Sequence, residues 1–183
     1  MTDTATLSCA CGEVRLELAW APILSAECHC DSCRKAGARL EALQAHATDK
    51  APPVREANGG TRFVLYRKDR VRFTGGAALL REFRLTPTSG TRRVAAACCN
   101  TPLFLEFEKG HWLSLYAGLW PQETRPRPEL RTMTRDAPNP SALPEDMPNA
   151  RTQSPRFMAK LLGAWIAMGF RNPKIEVGGS IDA

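Results

Sequence analysis

The chain has 183 residues, 43% hydrophobic and 24% charged, with a net charge of +6 and seven cysteines. That is the make-up of a globular protein with one ordinary domain and an appendage, or two small domains. No stretch approaches the roughly 18 uninterrupted apolar residues of a membrane span. Residues 1–6 lack the basic start and apolar run of an export signal, so the expectation is a cytoplasmic protein. The positive charge is spread along the chain, and the one dense basic stretch, Arg67-Lys68-Asp69-Arg70-Val71-Arg72, is short and carries an acid. A nucleic-acid partner usually leaves a stronger footprint than this.

In chain order, Thr6 to Trp20 reads as a strand, a C-x-C-G turn and a second strand. Val14, Leu16, Leu18 and Trp20 alternate with Arg15, Glu17 and Ala19, the pattern of a half-buried strand. Ile23 to Glu27 reads as a short strand delivering a loop, Cys28-His29-Cys30-Asp31-Ser32-Cys33, which Gly37 bounds on its far side. Arg39 to Ala47 fits either a strand or a helix. Lys50 to Thr61, with Pro52, Pro53, Gly59 and Gly60, is a loop. Further strands are expected at Thr61–Tyr66, Arg70–Phe73, Leu79–Leu85, Thr91–Ala97, Leu103–Glu108 and Trp112–Tyr116. Short strands, frequent turns and no strand–helix alternation predict a mainly β domain of antiparallel strands over residues 5–120.

The texture changes at Pro121. Eight of the fourteen prolines lie between there and Pro155. So Pro-rich a segment is expected to run extended over the domain or to stay mobile. A C-terminal helix over about 155–170 follows, with Ser154 as N-cap and Pro155 in its first turn. Phe157, Met158, Leu161, Leu162, Trp165 and Ile166 make its apolar face. That face predicts a brace packed on the β domain, and its main rival is a homodimer contact. The second unit is therefore 121–183, and Lys174 to Ala183 adds at most an edge strand.

The cysteines fall in three clusters: Cys9 and Cys11, then Cys28, Cys30 and Cys33, then Cys98 and Cys99. An odd number of thiols in a reducing compartment argues against a disulfide framework and for thiolate–metal chemistry, with zinc the first candidate. Three sulfurs from Cys28, Cys30 and Cys33 can reach one ion and leave its fourth position open, as catalytic zinc sites do. His29 is disfavoured as a ligand, because adjacent side chains in extended backbone point apart. Cys9, Cys11 and Cys99 suit a structural ion joining an early strand to a late one. Cys98 is a candidate fourth ligand.

These motifs carry a resemblance. Cys9-Ala10-Cys11-Gly12-Glu13-Val14, Cys28-His29-Cys30-Asp31-Ser32-Cys33-Arg34-Lys35-Ala36-Gly37 and Cys99-Asn100-Thr101-Pro102-Leu103 resemble, in order, the glutathione-dependent formaldehyde-activating enzymes. That family includes the centromere protein V domain. The resemblance implies a β-tent fold on two zinc sites, with Cys9, Cys11 and Cys99 at the structural ion. It implies a catalytic zinc beside glutathione at Cys28, Cys30 and Cys33. The late motif departs from the family's C-x-x-C-G: Ala96 stands where the first cysteine belongs, and Asn100 replaces glycine. Either Cys98 supplies the missing sulfur through a local change of backbone, or water completes the ion, or the ion is absent.

The activity expected from this is a zinc-dependent carbon–sulfur lyase joining, or cleaving the adduct of, a small thiol such as glutathione and an aldehyde. Arg34 and Lys35 are the candidate substrate-binding cations, and a guanidinium suits a carboxylate best when the contact is bidentate. The alternative is a non-catalytic zinc module contacting nucleic acid or a protein partner. His46 and His111 read as ordinary surface or core histidines.

Overall fold

The computed structural model describes residues 4–49 and 51–181. Among them ten strands form two sheets, and two α-helices cover one face of the larger sheet, a mainly β architecture as expected. In the small sheet, β1 (Thr4–Ser8), β2 (Arg15–Ala19) and β5 (Val71–Gly75) lie antiparallel in the order β1-β2-β5. The alternation read from the sequence holds here, since Leu16 and Leu18 turn into the core.

The large sheet has seven strands. Its elements are β3 (Leu24–Cys28), β4 (Thr61–Arg67), β6 (Leu80–Phe83), β7 (Thr91–Ala96), β8 (Pro102–Phe107), β9 (Trp112–Tyr116) and β10 (Leu130–Thr132). Their order is β10-β3-β4-β9-β8-β7-β6. The strands around the Arg67–Arg72 turn thus belong to different sheets. Both faces of the large sheet are covered, and this explains the unbroken apolar runs of its central strands. Val64, Tyr66, Phe104, Leu113 and Leu115 face the small sheet and make one core with Leu7, Leu16 and Leu18. Phe63, Leu65, Leu105 and Tyr116 face the other way, toward the helices.

α1 (Asp31–Gln44) begins at the residue after Cys30, so Gly37 lies inside a helix and does not bound a loop. The ambiguous stretch from Arg39 resolves as the rest of this helix as far as Gln44. Cys33, Ala36, Gly37, Leu40 and Gln44 form its buried face at helical spacing. Glycine is needed at 37 because a Cβ there would lie 2.7 Å from Cγ of Arg55. Arg55 is clamped to the helix by Glu41, which accepts from its backbone N–H and its guanidinium.

The Pro-rich segment does more than cross the surface. Residues Leu130–Thr132 add β10 to the sheet edge, parallel to β3 with Arg131 opposite Glu27. Arg131 Nε donates to Glu27 Oε1 at 3.0 Å, with both side chains about 95% buried. Asp146 and the Pro144 carbonyl take a second nitrogen. Prolines limit apolar burial, but a buried, fully paired arginine holds the segment instead.

α2 (Pro155–Ala167) carries the expected cap: Ser154 Oγ accepts from the Phe157 N–H at 3.1 Å. Phe157 and Leu161 are buried, whereas Met158, Leu162, Trp165 and Ile166 are between 37% and 55% exposed. Only part of the apolar face thus packs on the sheet. His111 fixes that packing by bonding the Leu161 carbonyl at 2.8 Å and stacking on Trp165. Beyond the helix, Ser180 makes a single bridge to Glu82. No helix among the described residues is long and apolar enough to cross a membrane.

Glu27→Gln leaves the buried Arg131 guanidinium without its carboxylate and should destabilise the fold by about 3 kcal/mol. Urea unfolding measures this as a lower midpoint at unchanged slope; an unshifted midpoint would mean Asp146 alone suffices.

Candidate functional site

Two-residue alternation along β3 decides what the C-H-C stretch can do. Leu24, Ala26, Cys28 and Cys30 join the apolar cluster beneath the helices, while Glu27 and His29 point to the opposite side. There His29 Nε2 bonds Glu27 Oε1 at 2.9 Å. Asn58 donates to the same carboxylate oxygen at 2.8 Å. Burial pushes the Glu27 carboxyl up, but bonds from His29 and Asn58 and the charge of Arg131 outweigh it, bringing it to about 2. Gly60 is required beside this network, since a Cβ there would lie 2.8 Å from Glu27 and 2.9 Å from His29. His29 is fully buried and committed to Glu27, consistent with its exclusion as a ligand.

On the other side the chain passes from strand to helix, and that junction gathers Cys28, Cys30 and Cys33 with sulfurs within 4.8 Å of one another. Cys30 is the N-cap residue of α1, its sulfur accepting the Cys33 N–H at 3.3 Å. A helix N-terminus favours negative charge. Bonds from the Cys28 and Cys33 thiols pull Cys30 down to about 2, with Arg93 contributing. The same sharing pushes Cys28 up to about 12 and raises Cys33 well above the usual thiol range.

A cavity of about 250 Å³ opens beside these sulfurs, lined mainly by Phe63, Leu65, Leu105, Phe107, Trp112 and Phe157. Ser32, Arg93, Ser114, Thr132 and Gln153 supply polar groups along its wall. Arg34 and Lys35 do not line it. Arg34 is paired with Asp31 and Lys35 is exposed on the outside of α1. The guanidinium at the cavity belongs to Arg93, whose Nη2 donates to Ser32 Oγ at 2.7 Å and to the Ser32 carbonyl at 3.3 Å. Sequence reading missed it because Thr91-Arg92-Arg93-Val94 shows two adjacent arginines on a strand. Only register separates them: Arg92 pairs with Glu82 and Glu106, and Arg93 turns under the helices.

The remaining four cysteines form a second group. Cys9, Cys11, Cys98 and Cys99 place their sulfurs within 4.8 Å of one another. Cys9 lies 3.5 Å from Cys11 and 3.7 Å from Cys98, and Cys98 lies 3.9 Å from Cys99. A tetrahedral zinc with bonds of about 2.3 Å to sulfur spaces its ligands about 3.8 Å apart, so this set fits the ion. The turn between β7 and β8 makes the fit possible. Ala96 stays in the strand core, its carbonyl accepting the Asn100 N–H at 2.8 Å. Asn100 takes the left-handed backbone (φ 56°) that glycine would otherwise supply. Cys98 thereby comes within reach of the other three sulfurs. Burial raises Cys99, but bonds from Thr101 and Cys11 outweigh it and bring it to about 7.

A sequence model of the glutathione-dependent formaldehyde-activating enzyme family matches residues 4–59. Over that stretch the chain resembles that family. The matched part holds Cys9, Cys11 and the trio, while Cys98, Cys99 and Arg93 lie beyond it. No curated protein matches the chain. A crystal structure of a Rhodobacter sphaeroides protein is similar at 14% identity and TM-score 0.44, covering 64% of this chain and 89% of that one.

If the two sulfur groups are separate metal sites, mass spectrometry of the native protein should find two ions per chain. Cys28→Ala should lose one and keep its circular dichroism, whereas Cys98→Ala should lose the other together with thermal stability. Equal destabilisation by both changes would assign the trio a structural role as well.

Proposed function

We propose that this protein is a zinc-dependent enzyme of carbon–sulfur lyase type, acting on the adduct of a small, glutathione-like thiol and an aldehyde. The observation that carries the reading is the placement of three sulfurs, with no fourth protein ligand beside them among the described residues, at the wall of a largely apolar cavity. A closed structural site would spend its fourth position on protein. Zinc held by Cys28, Cys30 and Cys33 would keep a thiol sulfur as thiolate at neutral pH. In the cleavage direction the carbon–sulfur bond breaks with its electron pair going to sulfur. The hydroxyl proton of the adduct is released, and the carbon becomes an aldehyde. The chain's own residues contribute placement: the apolar walls exclude water, and Phe157 from α2 closes one side. The other four cysteines would hold a structural zinc that pins β1–β2 to the β7–β8 turn.

The alternative of a nucleic-acid-binding module has less support, because the basic stretch is committed internally. Arg67 pairs with Asp69, Lys68 is buried against Glu106, Arg70 lies over the Trp20 ring and Arg72 pairs with Glu17. All seven cysteines are free thiols, which fits a reducing, cytoplasmic setting.

Purified zinc-loaded protein should consume aldehyde only in the presence of a thiol, and Cys30→Ala should lower kcat/KM by about two orders of magnitude or more. No consumption across a panel of thiols and aldehydes would overturn the lyase reading.

A further inference from the structure

We propose that Arg93 makes this cavity selective for adducts with a carboxylate on the sulfur-bearing carbon, the class formed when a thiol adds to a 2-oxo-acid aldehyde. The inference rests on the lyase reading of the same cavity and names its substrate class.

Arg93 is the largest of the fully buried side chains, only 1% exposed, and it lines the cavity. Strand register puts it there. Val94 and Ala96 face the small sheet, so Arg93 between β6 and β8 faces the helices. One nitrogen is used on Ser32, and the guanidinium lies 5.9 Å from the centre of the Phe83 ring. Nε and Nη1 have no hydrogen-bond partner among the described residues. Among the described residues no carboxylate forms an ion pair with it, whereas the comparably buried Arg131 pairs with Glu27 and Asp146, and the neighbouring Arg92 with Glu82 and Glu106. A buried cation with idle donors is costly to keep unless a counter-charge arrives.

The sulfurs of the trio line the same cavity and, as metal-bound thiolates, would supply part of that counter-charge. They do not satisfy its idle N–H groups. Position then sets the ligand. Ser32 lies between Cys30 and Cys33, so a guanidinium anchored on Ser32 stands beside the place where a substrate sulfur would bind. An anion touching Arg93 must therefore be attached within a bond or two of that sulfur. The carboxylates of a glutathione-like tripeptide lie several bonds farther from the sulfur. A carboxylate on the sulfur-bearing carbon fits, as in RS–CH(OH)–COO⁻. Cleavage gives the thiol and OHC–COO⁻, with the electron pair on sulfur, the hydroxyl proton released and the carboxylate unchanged. An adduct of formaldehyde has hydrogen at that position and would leave the buried donors unpaired, which is how polar sites reject smaller analogues.

The test compares two unreactive ligands of the zinc-loaded protein by calorimetry: mercaptoacetate, and 2-mercaptoethanol, which has a hydroxymethyl group in place of the carboxylate. Wild type should bind mercaptoacetate at least about tenfold more tightly, the strength of one charge-assisted hydrogen bond. Arg93→Met should bring the ratio close to one while keeping zinc content and the affinity for 2-mercaptoethanol, and Arg93→Lys should restore part of it. Equal affinities in wild type would overturn the proposal without any variant. A ratio preserved in Arg93→Met, or both ligands weakened alike, would reduce Arg93 to a counter-ion for the thiolates. Failure of thiol-dependent aldehyde turnover would sink the lyase reading alone, because the binding ratio is read without turnover.

Discussion

The buried pair between Glu27 and Arg131 is the interaction on which the site depends. It locks an edge strand from the Pro-rich segment alongside β3, the strand that delivers Cys28. A parallel pairing of three residues has few backbone bonds to hold it. The ion pair compensates with charge-assisted bonds on the face away from the cavity. Because side chains alternate along β3, every group that steadies the strand lies behind it, and every thiol lies in front. His29 belongs to the rear set, and its place between two cysteines follows from that division of faces.

In front, the governing quantity is charge. Three thiolates around a divalent ion carry one net negative charge, and Arg93 is the cation beside them. Helix α1 adds its N-terminus at Cys30. Such a site is a weak Lewis acid but well suited to exchanging one thiolate for another in its open position. The apolar wall from Phe63 through Trp112 and Phe157 raises the value of each of these charges by excluding water. On the proposed reading, such a site would select on sulfur through the trio and on anion through Arg93.

Much of the fold was legible because its signals are local. Strict alternation marked β2, apolar runs bounded by turns marked the central strands, and Ser154-Pro155 marked the start of α2. The metal-ligand clusters could be proposed from spacing alone, since a C-x-C or C-x-x-C places sulfurs within reach of one ion in almost any backbone. What depended on distant partners was not legible. Gly37 reads as a loop residue until Arg55 is seen packed on it. The Pro-rich segment reads as a surface strap until Arg131 finds Glu27. Arg34 and Lys35 adjoin the cysteines in sequence but point outward from a helix, whereas Arg93, some sixty residues away, reaches Ser32 from a neighbouring layer.

The two sulfur groups are also coupled through α1. Cys30 caps its first turn, and near its end the Leu43 carbonyl accepts from the side-chain amide of Asn100, the residue after Cys99. Fourteen helical residues span about 21 Å, so one rigid rod runs between the two centres. Asn100 thus has two tasks that glycine could not combine: it takes the left-handed turn that frees Cys98 to face the other sulfurs, and it ties that turn to the helix. Replacing the usual glycine is then tolerable because the side chain gains a partner. An ion held at the four-cysteine group would steady the far end of α1 and, through the helix, the orientation of Cys30 and Cys33. The turn at Ala96 and Asn100 is therefore tied to the same helix that presents Cys30 and Cys33.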